Sequence, residues 1–463
     1  MLFNSLEFAL FLPATLAIYY LCIPRHQWRA RKIFLVVASY AFYMSWNPFF
    51  GLLLLGSTLV DFTMGLALER ATGRAARRGL LVVSLAFNLG MLGYFKYGNF
   101  VAANLHRLIG VADPPLWDII LPVGISFYTF ESLAYTINVY RGERASRSLL
   151  DFALFLSFFP HLVAGPIVRP RAFLPQLETP PTVPGPAVEE ALARIAQGFM
   201  KKVLLADVLG QYVDAVWTDM GGYPSGNVLL AFYAYAFQIY FDFSGYTDIA
   251  LGVTGLFGLR LPENFDRPYL AQSPREFWQR WHISLSTWLR DYLYVSLGGN
   301  RVSPVRTYVN LLITMVLGGL WHGAAWTFVV WGAYHGVLLA VHRFVSSRGV
   351  PPARGWIATA AARVGTFHLI VLGWVFFRAP SLLDGVHALS RLGVSGWVTT
   401  RGASEAAILV VVALLLHVAP EARRVRERFV TFSPVTQGVA YAAATIAAFF
   451  IAPASERFIY FQF

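Results

Sequence analysis

A chain of 463 residues that is 57% hydrophobic, 16% aromatic and 13% charged lies outside the soluble class, in which charged residues run at about 25%. Its mean hydropathy of +0.54 points the same way, to a polytopic membrane protein. The net charge of +12 and pI near 9.8 do not imply nucleic-acid binding, because the basic residues sit in short loops between apolar runs, as the positive-inside bias predicts.

In chain order, apolar runs of roughly spanning length fall near 5–23, 33–50, 51–68, 79–95, 116–138, 150–168, 226–257, 307–345, 364–378, 405–419 and 435–453. Some are too long for one crossing and others too short, so the expected fold is all-α, with about 10–12 spans and several broken or re-entrant helices. The first run carries its positive charges after the apolar stretch and lacks a basic segment before it, which reads as a retained first span and not a cleaved signal. The one cysteine, Cys22, excludes an internal disulfide and any multi-cysteine metal site. Basic clusters at Arg25 to Lys32, Arg70 to Arg78, Arg141 to Arg147, Arg260 to Arg306 and Arg423 to Arg428 are expected on the cytoplasmic side, which puts Met1 in the periplasm.

Proline and glycine interrupt two runs, at 121–128 (LPVGISFY) and 159–167 (FPHLVAGPI). Non-helical backbone at membrane depth survives only where protein or water satisfies it. Residues 170–190 read as an exposed, proline-rich linker. The amphipathic stretch 191–216, with Lys201 and Lys202 among apolar neighbours, could lie along the membrane surface. Asp242 and Asp248 then fall inside an otherwise apolar run and need partners, because burying an unpaired carboxylate is expensive. No repeat or second soluble domain is visible, and residues 1–463 read as a single domain.

The segment from Arg275 to His335 carries the chemistry. His282 lies among Trp278, Trp281 and Trp288, and His322 lies between Gly318-Gly319-Leu320-Trp321 and Gly323. An ionisable residue inside an apolar run usually faces a cavity or a partner. The flanking glycines would let a thin acyl chain or another helix approach the imidazole. Arg267, Arg275, Arg280, Arg290 and Arg301 form a basic region suited to the phosphates of an acyl-coenzyme A donor, although positive-inside bias or anionic headgroups account for the same charges. The sequence contains no G-x-S-x-G elbow, H-E-x-x-H, C-x-x-C, G-x-G-x-x-G or phosphate-binding G-x-x-x-x-G-K-[ST]. What remains is proton transfer or direct acyl exchange, for which a histidine of near-neutral pKa is suited.

The segments 278–301 (WQRWHISLSTWLRDYLYVSLGGNR) and 318–336 (GGLWHGAAWTFVVWGAYHG) resemble the membrane-bound O-acyltransferase family, in particular its bacterial alginate O-acetyltransferase branch. The likeness extends to 121–130, Gly165-Pro166-Ile167, 238–250, 264–336, 374–379 and 458–463. It implies that His322 is the catalytic histidine and that His282 occupies a second position, about forty residues upstream, held in the family by Asn, Asp or His. It further implies a central intramembrane tunnel in which acetyl-coenzyme A, a substrate and not a bound cofactor, meets His322. His322 would deprotonate the acceptor hydroxyl or carry the acyl group transiently, while His282 orients or binds the thioester. Trp278, Arg280, Trp281, Ser286, Arg290, Asp242 and Trp321 are the expected substrate-binding residues. The implied setting is a bacterial inner membrane. The implied partner is a periplasmic serine-esterase-like acetyltransferase that passes the acetyl group to a polysaccharide, with the run Phe458 to Phe463 as one candidate contact. A D-alanyl- or lipid-directed member of the same superfamily, and a polytopic transporter, are the alternatives.

Overall fold

The computed structural model describes the chain apart from residues 111–116, 350–352, 394–395, 397–401, 420–421, 452–457 and 460–463. The described residues contain helices and turns but no β-strand, so the fold is all-α. Among the described residues, four helical stretches are long and apolar enough to cross a membrane: Pro48–Arg70, Arg74–Leu108, Trp326–Ser347 and Trp356–Arg378. Leu6–Cys22 and Ala403–Val418 are shorter apolar helices. The chain forms two compact units, one of residues 1–191 and 250–262, the other of 192–249 and 263–463.

The first unit is built from α1 (Leu6–Ala17), α2 (Trp28–Met44), α3 (Pro48–Arg70), α4 (Arg74–Leu92), α5 (Gly98–Leu108), α6 (Ile125–Tyr140), α7 (Leu149–Ser157), α8 (Phe159–Leu162) and α9 (Pro170–Phe173). α3 starts where the Asn47 side chain accepts the Phe49 N–H at 2.9 Å and Pro48 occupies the first helical position. A buried carboxylate joins three helices here: Asp61 on α3 accepts from Ser84 at 2.5 Å and Asn88 at 2.8 Å on α4, and from Ser132 and, at 3.1 Å, Thr136 on α6. Polar side chains of this kind hold apolar helices together where burial alone gives no preference between lipid and protein.

The two proline–glycine breaks meet in this unit. Gly124 adopts a left-handed φ of 78°, and a side chain there would press on the Leu162 carbonyl. Beyond the break the Val168 N–H donates to Glu131 Oε1 at 2.8 Å, so a protein side chain satisfies the non-helical backbone. Helix in the run read at 116–138 begins only at Ile125. The expected linker 170–190 is more ordered than its proline content suggests. α9 and a tight turn over Leu174–Leu177 bury Phe173 and Leu177, and helix resumes at Gly185.

The second unit contains most of α10 (Gly185–Met200), a π-helical turn over Lys201–Ala206, α11 (Asp207–Thr218) and α12 (Ser225–Leu256) as far as Ile249. It continues through α13 (Pro274–Arg280), α14 (Ile283–Trp288), α15 (Pro304–His322), α16 (Trp326–Ser347), α17 (Trp356–Arg378), α18 (Leu382–Ser390), α19 (Ala403–Val418), α20 (Ala422–Phe429) and α21 (Pro434–Ile451). The long run 307–345 proves to be two helices, α15 and α16, folded back on each other at residues 323–325. Glycine permits their contact: a side chain at Gly319 would overlap the Phe328 carbonyl, and one at Gly332 the Met315 carbonyl.

The amphipathic stretch does not simply float on a membrane surface. Lys202 is 1% exposed and bonds Asp207 at 2.7 Å and Asp242 at 2.8 Å, while Lys201 reaches Asp248 at 2.6 Å and Arg194 reaches it at 3.0 Å. The two carboxylates that needed partners find them on α10 and the π-helical turn.

Candidate active site

His322 is the last residue of α15, and Gly323 leaves the helix in extended conformation. It therefore stands at the tip of the α15–α16 hairpin and not midway along a span. A side chain at Gly323 would collide with the Phe328 ring, so glycine is required for this exit. The imidazole is walled by Trp321, Trp331 and Phe377, with ring centroids at 5.1, 5.2 and 5.2 Å.

His282 faces it, with the two imidazole centroids 6.3 Å apart. Its backbone is in the left-handed region, φ 43°, which only one other non-glycine residue in the described chain, Arg267, shares. Such a conformation is costly for a branched or bulky residue and is retained where the surroundings impose it. Asn264 imposes it here: its backbone carbonyl accepts the Ile283 N–H at 3.0 Å, and its side-chain Oδ1 accepts the Ser284 N–H at 3.1 Å. The same Oδ1 lies 3.4 Å from His282 Nδ1. Because that oxygen is an acceptor, Nδ1 carries the ring proton and Nε2 is the lone-pair nitrogen. His282 lies outside the spanning helices, and burial lowers its pKa to about 3, which keeps the ring neutral near pH 7. Phe243 on α12 packs edge-on against it at 4.7 Å, and Trp321 lies at 5.8 Å.

Other sequence-selected residues divide into those that reach this pair and those that do not. Trp321 touches both histidines. Trp278 packs on Trp331 at 5.8 Å, one ring away from His322. Trp281 is fully buried and stacks on Phe277, with Trp374 at 4.9 Å, and Ser286 donates to its carbonyl at 3.1 Å. Arg280 is held by Glu276 at 2.9 Å and Asp266 at 3.2 Å, and Arg290 by Asp291 at 2.7 Å. Their charge is thus partly neutralised within their own segment. Asp242 binds Lys202 and accepts the Ile459 N–H at 2.9 Å. Its neighbour Phe243, and not Asp242 itself, touches His282.

Five residues near the pair escaped the sequence reading: Phe243, Asn264, Trp331, His335 and Phe377. Asn264 gave a signal, an amide just ahead of the basic segment, and Phe377 lies in the 374–379 motif. His335 had none beyond being a histidine in an apolar helix. Of the terminal run, Phe458 and Ile459 are buried, with the Phe458 ring 4.5 Å from Lys202 Nζ, and 460–463 lie outside the described residues.

Two imidazoles thus stand side by side, buried among indoles and phenyl rings at the end of a helical hairpin in an apolar helical protein. The chain belongs to the membrane-bound O-acyltransferase family, which it matches over residues 77–375, and it is an O-acyltransferase. It is 46% identical over 389 residues to the probable alginate O-acetylase AlgI of Pseudomonas aeruginosa, an alignment covering 82% of this chain and 73% of that one. It is 36% identical over 399 residues to the peptidoglycan O-acetyltransferase of Helicobacter pylori, covering 79% and 74%. The teichoic acid D-alanyltransferase of Bacillus subtilis is 29% identical over 279 residues, covering 57% and 70%.

Proposed function

We propose that this protein takes an acetyl group from acetyl-coenzyme A on the cytoplasmic side of a bacterial inner membrane and delivers it for O-acetylation of an extracellular, alginate-like polysaccharide. Residues 1–463 act as one acyltransferase domain. The reading rests on the paired, buried His282 and His322, 6.3 Å apart. The greater identity and coverage of the O-acetylating relatives, compared with the D-alanyl-transferring one, favour acetyl as the cargo.

His322 acts as the base. Its imidazole takes the proton from the acceptor hydroxyl, the resulting oxygen attacks the thioester carbonyl, the carbon–sulfur bond breaks, and the departing thiolate takes the proton back. Neutral His282, fixed by Asn264, orients the reacting groups. Trp321 and Trp278 line the donor's path, and Trp281 and Ser286 shape the segment that carries His282. Arg280 and Arg290 contribute at the cytoplasmic mouth and Asp242 in support of α12. A periplasmic serine-esterase-like acetyltransferase receives the group and transfers it to the polymer.

Purified protein in liposomes supplied with acetyl-coenzyme A should release coenzyme A and acetylate polymer only when the partner is added. His322→Ala should insert at a normal level yet lose transfer by more than a hundredfold, on the order expected for loss of a general base. Residual transfer within a few-fold of wild type would defeat the assignment of His322, and polymer acetylation by the isolated chain would defeat the two-component reading.

A further inference from the structure

A hollow of about 600 Å³ opens on the surface of the first unit, where α2, α3 and α7 meet. Val36, Tyr40 and Met44 form one stripe along α2, Leu59 lines the hollow from α3, and Leu149 and Ala153 line it from α7. Leu59 and Leu149 are 43% and 42% exposed, so the hollow is open to its surroundings and is not an internal void. The lining is apolar apart from the hydroxyls of Tyr40 and Thr58, and Thr58 donates its own to the Leu54 carbonyl at 2.8 Å. Because α3 is long and apolar enough to cross a membrane, this surface meets lipid.

The dimensions and chemistry of the hollow select its occupant. An ordered water needs two to four polar partners, which this lining does not supply. A partner's spanning helix needs a track of about 30 Å. The α2 stripe from Lys32 to Met44 measures only roughly 18 Å at the helical rise, a length suited to one acyl chain. A chain in the hollow makes dispersion contacts that an empty hollow forfeits. Lipid tails are as apolar as leucine, so filling alone does not choose among lipids.

The charged end of the hollow makes that choice. Lys32 lies one turn before Val36 on the same stripe and bonds Asp151 of α7 at 2.5 Å, which places the starts of α2 and α7 side by side. Arg29, one turn earlier, is exposed. Arg147, just ahead of α7, is 65% exposed and meets Glu69 at 3.1 Å. Residues 25–32 and 141–151 together hold seven Lys and Arg against two Asp and Glu, so positive charge is in excess at this end. Positive-inside bias accounts for charges in such loops, but not for an apolar hollow leading away from them. Cations at one end of a hydrocarbon-lined hollow complement an anionic amphiphile. We propose that the groove of α2, α3 and α7 binds an anionic phospholipid, with one acyl chain in the hollow and the phosphate at Arg29 and Arg147. This lipid is a bound component of the fold, neither donor nor acceptor of the acyl group.

Full-length protein, delipidated in a mild detergent, would be titrated with phosphatidylglycerol, phosphatidylcholine of the same chains, and glycerophosphoglycerol, which has the head group without chains. Native mass spectrometry counts bound molecules, and melting temperature reports their effect. Wild type should bind one phosphatidylglycerol roughly tenfold or more tightly than phosphatidylcholine, with a matching rise in melting temperature, and should not retain glycerophosphoglycerol. Arg29→Gln combined with Arg147→Gln should erase that preference while both phospholipids still bind. Ala41→Leu combined with Ala153→Leu fills the hollow and should weaken both phospholipids by a similar factor. Melting without lipid shows whether each variant is folded, and if the filled variant is not, the arginine variant alone decides. Three results would overturn the site: equal binding of the two phospholipids by wild type, an unchanged preference in the arginine variant, or undiminished binding in a folded, filled variant. A dimer that the filling substitutions abolish would also overturn it, by making a second copy of the chain the occupant.

Discussion

At the scale of single residues, His282 brings a strained backbone and a neutral ring to one position. Alanine suits neither requirement, whereas asparagine tolerates left-handed φ and offers a hydrogen-bonding side chain. Replacing His282 by Asn should therefore retain more transfer activity than His282→Ala, and His282→Gly, which relieves only the backbone, should fall below Asn. Equal loss in all three would make the imidazole itself indispensable. The depressed pKa has a separate consequence. Below about pH 6.5 the unfolded chain protonates this histidine while the folded protein resists down to about pH 3, so folding loses stability as pH falls through that window. Melting temperatures of wild type should drop more steeply between pH 7 and pH 5 than those of His282→Asn, and parallel slopes would contradict a neutral buried ring.

At the scale of elements, glycine has opposite meanings in different helices. A methyl group at Gly319 would run into the Phe328 carbonyl of α16, whereas one at Gly90 on α4 would meet nothing within 4 Å. Gly319→Ala should destabilise by about 1–3 kcal/mol through overpacking and shift His322 at the hairpin tip, lowering transfer. Gly90→Ala should be neutral or stabilising by up to about 1 kcal/mol. Thermal unfolding in detergent distinguishes them, and similar melting temperatures would show that the hairpin accommodates the methyl group. The same scale governs Lys202, which holds Asp207 and Asp242 together while Asp242 also fastens the Ile459 N–H. Lys202→Met leaves two buried carboxylates uncompensated, a loss of about 3–5 kcal/mol. Adding Asp207→Asn and Asp242→Asn should recover much of it. No recovery in the triple variant would mean that lysine packing, not charge, sustains the junction.

At the scale of the whole molecule, composition was enough to read a membrane protein and the lengths of the apolar runs to read an all-α fold, because neither depends on long-range detail. The breaks at Pro122-Val123-Gly124 and Pro160-His161 were legible since proline and glycine act locally, and His282 and His322 stood out as ionisable residues among aromatic and glycine neighbours. What stayed hidden depended on chain-distant pairing. Lys202 meets a carboxylate forty residues on, Asn264 acts on His282 from a loop, and His335 looks like any helix residue until Trp278 and Trp331 are placed against it. The hairpin at 323–325 carries no proline, so its turn could not be separated from a continuous apolar run. Orientation is the remaining property of the entire chain, and it follows from charge. Gly73 lies in the turn between α3 and α4, flanked by Arg70, Arg74, Arg77 and Arg78, and moving such a loop outward opposes the positive-inside bias. Arg77 is also committed to the protein, donating to the Leu68 carbonyl at 2.7 Å and the Tyr140 carbonyl at 2.7 Å, which ties the ends of α3 and α6 to the same side. A side chain at Gly73 meets nothing within 4 Å, so Gly73→Cys, in a Cys22→Ser background, should fold normally. It should react with a membrane-impermeant maleimide only after the cytoplasmic face is opened. Labelling in intact cells with a permeable outer membrane would reverse the orientation, and with it the side from which acetyl-coenzyme A reaches His322.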